Sequence, residues 1–151
     1  MHYLESAAPS TAHPLLTRWI RNSAAVLVTL AAPAVSTSGA LTTGLKGTSP
    51  AVMFPPGYWV ALVTTVAVTT LAAALAALIA GRDALVTIPV SLGLWFITGL
   101  GVIAASIQLG HSGLAHWGVI LVVASITGAA AGMLLARRGR EQSSPPPDDH
   151  A

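Results

Sequence analysis

Residues 58–80 read YWVALVTTVAVTTLAAALAALIA, a run without charge, proline or glycine. A helix rises about 1.5 Å per residue, so about 20 apolar residues cross the hydrocarbon core of a bilayer. This run is long enough to do so as one unbroken helix. Two further apolar stretches follow it, around residues 84–108 and 117–136, and a weaker one precedes it at 22–41. The expected fold class is an all-α membrane protein: a four-transmembrane-helix bundle in up-down order, with both termini cytoplasmic.

Composition points the same way. Of 151 residues, 54% are hydrophobic and 8% charged, with a mean hydropathy of +0.73, whereas soluble domains carry about 25% charged residues. Spans of about 20 residues use most of such a chain and leave little for a second, soluble domain. The net charge of +2 does not imply nucleic-acid binding, because the basic residues stand at span ends and form no patch on a soluble face. With no cysteine, thiol catalysis, thiolate metal sites and disulfides are excluded. The bias to arginine over lysine, with abundant alanine, valine and threonine, suggests a GC-rich bacterial genome and hence a plasma membrane.

Residues 1–20 are polar, carry Pro9 and Pro14, and are read as a flexible cytoplasmic arm. The membrane domain then occupies 21–136. Its first span is the ambiguous one: a basic flank, a short apolar core at 24–35 and small residues around Ala32–Ala34 are also the parts of a signal peptide. An uncleaved helix is expected, since the leader ahead of it is long for a signal. Residues 36–57, rich in Ser, Thr, Gly and Pro, read as an external loop that ends in the aromatic anchors Tyr58 and Trp59. A lid or partner-binding role for this loop is the alternative. The segment 81–83 is a tight turn and 109–116 a short outer loop, with Trp117 opening the last span. Pro89 predicts a kink near the start of the third helix, where Thr87 or Ser91 can resatisfy the backbone. Residues 137–151 form a polar, proline-rich tail expected to be disordered.

Orientation follows from charge. Arg18, Arg21, Arg82, Arg137, Arg138 and Arg140 fall on one side and Lys46 alone on the other, a strong positive-inside asymmetry. These arginines, with Tyr58, Trp59 and Trp117, are the topology anchors.

Small residues at helical spacing are the clearest motif. Ala124, Gly128, Gly132 and Ala136 recur every fourth position, and Ala61, Thr65, Thr69, Ala73 and Ala77 make a similar stripe on the second helix. Faces so poor in side chain let another backbone approach closely. The two helices run parallel, and parallel helices of a simple up-down bundle lie diagonally. The stripes are therefore expected to face the first and third helices or a second copy of the chain. The hydroxyls of Thr64, Thr65, Thr69 and Thr70 are expected to bond their own helix, the alternative being the lining of a pore.

Other chemistry has little support. His111 and His116 are weak metal candidates, because five-residue spacing is not the i, i+4 geometry of a helical pair and no external carboxylate completes a site. No cofactor is implied and no orienting carboxylate serves Ser106 or Ser112, so an enzyme is not expected. In size and topology alone the chain resembles small multidrug transporters, but it lacks their membrane-embedded glutamate. The expected function is that of a non-catalytic accessory or structural subunit, whose partners are the lipid bilayer and a second copy or another membrane subunit. The alternative is a small pore-forming, permease-like or holin-like oligomer. A reporter fused after Lys46 or Gly113 should score external and one fused after Arg82 or Arg140 internal; two contradictory sites overturn this topology.

Overall fold

The structure, a computed structural model, describes residues 14–43, 56–110 and 112–142. Its backbone is helical in three uninterrupted runs, with no strand among the described residues. The first run is α1 (Pro14–Thr43). The second folds back at a 3-10 turn, Gly81–Asp83, which separates α2 (Pro56–Ala80) from α3 (Ala84–Leu109), and the third is α4 (Ser112–Gln142). Among the described residues, two segments are long and apolar enough to cross a membrane. They are Gly57–Leu109, peaking at a mean hydropathy of 2.2, and Leu114–Gln142, peaking at 2.3.

Several boundaries differ from the sequence reading, each for a local reason. α1 begins at Pro14, whose fixed φ and missing N–H suit a helix start. Arg18 and Arg21 therefore lie on its first turns. α1 also runs on through part of the expected external loop, to Thr43, and α4 continues past Ala136 to Gln142. The outer connection shrinks to two residues, because Gly110 adopts φ +67° and its N–H closes on Ser106 O, ending α3 abruptly. His116 consequently sits within α4. The rest of the arm, Lys46 with the remainder of its loop, His111 and the end of the tail lie outside the described residues. α3 stays helical through Pro89. Thr87 donates to Asp83 O at 3.0 Å and Ser91 to Thr87 O at 2.8 Å, so both hydroxyls are directed elsewhere than the carbonyl that Pro89 leaves open.

The arrangement of helices overturns one expectation. α4 packs along both α3 and α2, α1 packs along α2 and to a lesser extent α3, and α1 barely meets α4. Going round, the order is α1, α2, α4, α3, so the hairpin partners α2 and α3 are the diagonal pair. The parallel helices α2 and α4 are neighbours. The reason is steric. A Cβ at Gly128 would lie 2.9 Å from Thr69 Cγ2, and one at Gly132 would lie 3.2 Å from Ala73 Cβ and 2.9 Å from Ile88 Cδ1. The absent side chains of α4 make room for α2 on one flank and for Ile88 and Leu92 of α3 on the other.

The closest approach is between α3 and α4. A Cβ at Gly118 would stand 2.6 Å from Gly99 O, and one at Gly99 would stand 2.8 Å from Gly118 O. These glycines face each other backbone to backbone. The core is correspondingly made of small residues: Ala25, Ala73, Ala76, Ala77, Ala80, Ala84 and Ala136 surround Ile88 and Leu92 near one end, and Ala61 meets Tyr58, Trp117 and Ile120 near the other. α1 joins through Ala25 in that core and through polar contacts. Trp95 Nε1 donates to Leu30 O at 3.1 Å, and the buried Thr29 hydroxyl reaches Ser91 Oγ at 2.7 Å.

Alanine is a better helix former than glycine by about 1 kcal/mol, which makes glycine-to-alanine changes a direct probe of packing. Gly99→Ala and Gly118→Ala are expected to destabilise the purified protein by about 1–3 kcal/mol through overpacking. Gly101→Ala, whose Cβ meets nothing within 4 Å, should be neutral or stabilising. Thermal unfolding in detergent measures all three.

Candidate functional site

Two constellations stand out, a seam along the bundle interior and a cluster of charge at one end. The seam contains both predicted stripes. Ala61, Thr65, Thr69, Ala73 and Ala77 of α2 are buried, as are Ala124, Gly128, Gly132 and Ala136 of α4. At Gly128 and Gly132 the two stripes meet within this chain. The surface for a second copy that the sequence suggested is thus occupied by the molecule's own helix.

The seam's hydroxyls behave unusually. Thr29, Thr87, Ser91, Thr98, Ser106, Ser125 and Thr127 each lie within hydrogen-bond distance of a carbonyl three or four residues earlier, the common resort of a hydroxyl in an apolar helix. The hydroxyls of Thr65, Thr69 and Thr70 are buried and have no hydrogen-bond partner. The Thr69 methyl packs over Gly128. A buried unpaired hydroxyl costs about 1–3 kcal/mol. The expectation that these threonines bond their own helix is not met.

Every charged residue that the structure describes lies at one end, on the first turns of α1, the α2–α3 turn or the last turns of α4. Arg18 grips Asp83 with two parallel bonds, Nε to Oδ2 at 2.6 Å and a terminal nitrogen to Oδ1 at 2.7 Å, and Asn22 adds a third at 3.0 Å. Such bidentate pairing is strong and directional. Arg21 Nε donates to Ile79 O at 2.7 Å, and Arg140 donates to Arg82 O at 2.8 Å. Carbonyls at a helix C-terminus lack intrahelical donors and carry partial negative charge, so arginines from α1 and α4 cap the end of α2 and its turn. Gly81 makes this possible. It takes φ +59°, and a guanidinium nitrogen of Arg21 lies 2.9 Å from where its Cβ would be. Arg82, Arg137 and Arg138 are exposed.

The opposite end is aromatic. Of the aromatic anchors, Tyr58 and Trp117 are buried within the bundle and Trp59 is exposed. The Tyr58 ring stands edge-on to Trp59 at 5.4 Å and to His116 at 5.3 Å, linking the starts of α2 and α4. His116 therefore packs as part of the bundle. Among the described residues there is no group of three or more His, Cys, Asp or Glu that could hold a metal ion.

Sequence reading missed three features. The Gly99–Gly118 contact joins two glycines of different helices that are not part of either stripe. The Thr29–Ser91 pair had no signal, since two hydroxyls 62 positions apart announce nothing. Asp83 was seen as a turn residue only. Against protein-family models, curated proteins and solved structures, the chain shows no match.

The Arg18 and Asn22 hydrogen bonds hold the Asp83 carboxyl at about 2, below its usual 3.8. A carboxylate depressed on folding adds stability that is present above the unfolded value and lost as pH falls through the folded one. Acidification from about pH 4 to 2 should therefore lower the melting temperature, and Asp83→Asn should be less stable near neutrality and lose that part of the acid dependence. An identical acid profile for the variant contradicts the clamp.

Proposed function

We propose that this chain is a multi-pass integral membrane protein of a bacterial plasma membrane, crossing four times in up-down order with both termini cytoplasmic. We further propose that it is a non-catalytic accessory or structural subunit acting through helix contacts. The observation that carries this reading is the partition of its surfaces. Among the described residues charge is confined to one end, and along the helices many outward side chains are aliphatic, among them Leu71, Val86, Val90, Leu94, Ile97, Ile126 and Leu134. A surface of that kind suits lipid tails and other transmembrane helices. The arginine-rich end corresponds to the cytoplasmic side by the positive-inside rule.

The use of Gly128 and Gly132 inside the chain shifts the contact surface elsewhere. On α3, a Cβ at Gly93 or at Gly101 would meet nothing within 4 Å, and both glycines lie among the outward residues Val90, Leu94 and Ile97. This open face suits close approach by a helix of another membrane protein. Gly93→Leu with Gly101→Leu should remove a partner that copurifies from the native membrane while leaving melting behaviour close to wild type. Full retention of every partner would count against the subunit reading.

The second reading, a pore or permease-like path, is favoured by the unpartnered hydroxyls of Thr65, Thr69 and Thr70. They lie inside the bundle, so such a path runs through one chain and not between copies. Valine is nearly isosteric with threonine. Under the subunit reading, Thr65→Val with Thr69→Val leaves ion gradients unchanged in expressing cells and raises stability slightly; abolition of an expression-dependent leak selects the pore.

A further inference from the structure

The side of the bundle between α1 and α3 is built unlike the others. Asp83, Thr87, Ser91 and Trp95 recur every fourth position from the turn into α3, and three of them meet α1. Asp83 accepts from Arg18 and Asn22, Ser91 Oγ lies 2.7 Å from Thr29 Oγ1, and Trp95 donates to Leu30 O. The glycines of close backbone approach, Gly99, Gly118, Gly128 and Gly132, serve the α3–α4 and α2–α4 sides instead. We propose that the α1–α3 seam opens reversibly: α1 swings from α3 about Pro33, and the Arg18–Asp83 pair is the latch that holds it shut.

Three observations converge on this device. The hydroxyls in mid-seam each have a second partner at home: Thr29 Oγ1 is 2.9 Å from Ala25 O, and Ser91 Oγ is 2.8 Å from Thr87 O. Parting them therefore strands neither group, which removes the main cost of breaking a buried hydrogen bond. Next, the strongest link of the seam is at its wet end. The Arg18 and Asp83 side chains are 64% and 24% exposed, so water can take up both charges on release, while two parallel bonds hold them when closed. Finally, the seam contacts of α1, from Arg18 to Leu30, all precede Pro33, which is buried within the same helix. Proline has no N–H to give Thr29 O one turn back, and a helix bends most readily at such a place. Arg21 keeps its bond to Ile79 O at the end of α2, so α1 pivots on α2 and stays with the bundle. Opening uncovers Ser91 and Trp95, a hydroxyl and an indole N–H that a helix of another protein can bond.

The chain has no cysteine, so pairs of spin labels can be placed at will on the full-length protein and their separations read by pulsed electron resonance. Leu27→Cys with Val90→Cys, both at exposed positions, spans the α1–α3 seam; Val90→Cys with Leu134→Cys, also exposed, spans α3 and α4 as a control. With the latch intact, each pair should give one dominant distance. Asp83→Ala should add a second Leu27–Val90 population, longer by about 5 Å or more, half a helix diameter, and leave the Val90–Leu134 distance unchanged. Arg18→Gln, which leaves Asn22 on Asp83, should give the same population in smaller amount and serves if Asp83→Ala does not fold, as melting curves show. Pro33→Ala added to either variant should suppress the longer population. An unchanged Leu27–Val90 distance in the folded latch variants, equal lengthening of both pairs, or a longer population that survives Pro33→Ala overturns the proposal.

Discussion

Close backbone approach along α4 is the constraint on which the structure depends. Gly118 brings α3 to carbonyl contact, and Gly128 and Gly132 bring α2 and the side chains of Ile88 and Leu92 into the space their own side chains would have filled. In lipid there is no hydrophobic gain from burying apolar groups against each other, so association rests on dispersion contacts and on hydrogen bonds. Small residues maximise the first. They let helices approach closely, and α1, which packs along α2 with Ala25 in the core, adds hydrogen bonds to α3 through Thr29 to Ser91 and Trp95 to Leu30 O.

That constraint also explains the order of the helices. A tight turn of three residues ordinarily places its two helices side by side, yet α2 and α3 are a diagonal pair. The glycine-bearing flanks of α4 draw α2 to one side and α3 to the other, and α1 closes the ring between them. The arginine cluster then fixes the end where the turn must cross. Arg21 and Arg140 cap carbonyls at the end of α2, and Arg18 ties the turn to α1 through Asp83. The arginines that the positive-inside rule would read as setting orientation thus also hold the hairpin in place.

The extent of α2, the turn at Gly81 and the all-helical character were legible in the sequence because apolar length and a glycine at a turn are local signals. The stripes at Ala61–Ala77 and Ala124–Ala136 were legible as faces of close contact. Which faces would meet was not: the up-down rule placed α2 and α4 apart, and nothing local to Gly128 records that Thr69 will lie against it. Helix ends were misplaced where a cap decided them, at Pro14 and Gly110. The unpaired hydroxyls were out of reach for a similar reason, since Thr69 packs against Gly128 of another helix. The cleft between α2 and α4 joins Arg82 to Arg138 and Arg140 across more than fifty positions, so sequence showed three topology arginines and not a cleft.

The claim that α2 and α4 are parallel neighbours within one chain has a direct test. The chain has no cysteine, and the Cβ of Ala73 lies 3.2 Å from the position a Cβ would take at Gly132, close to the ~3.8 Å typical of a disulfide. Ala73→Cys combined with Gly132→Cys, oxidised in native membranes, should give an intramolecular crosslink in the monomer, detected by mass spectrometry of the linked peptides. Crosslinks found only between chains, or none where a pair on non-adjacent helices crosslinks instead, would contradict the account.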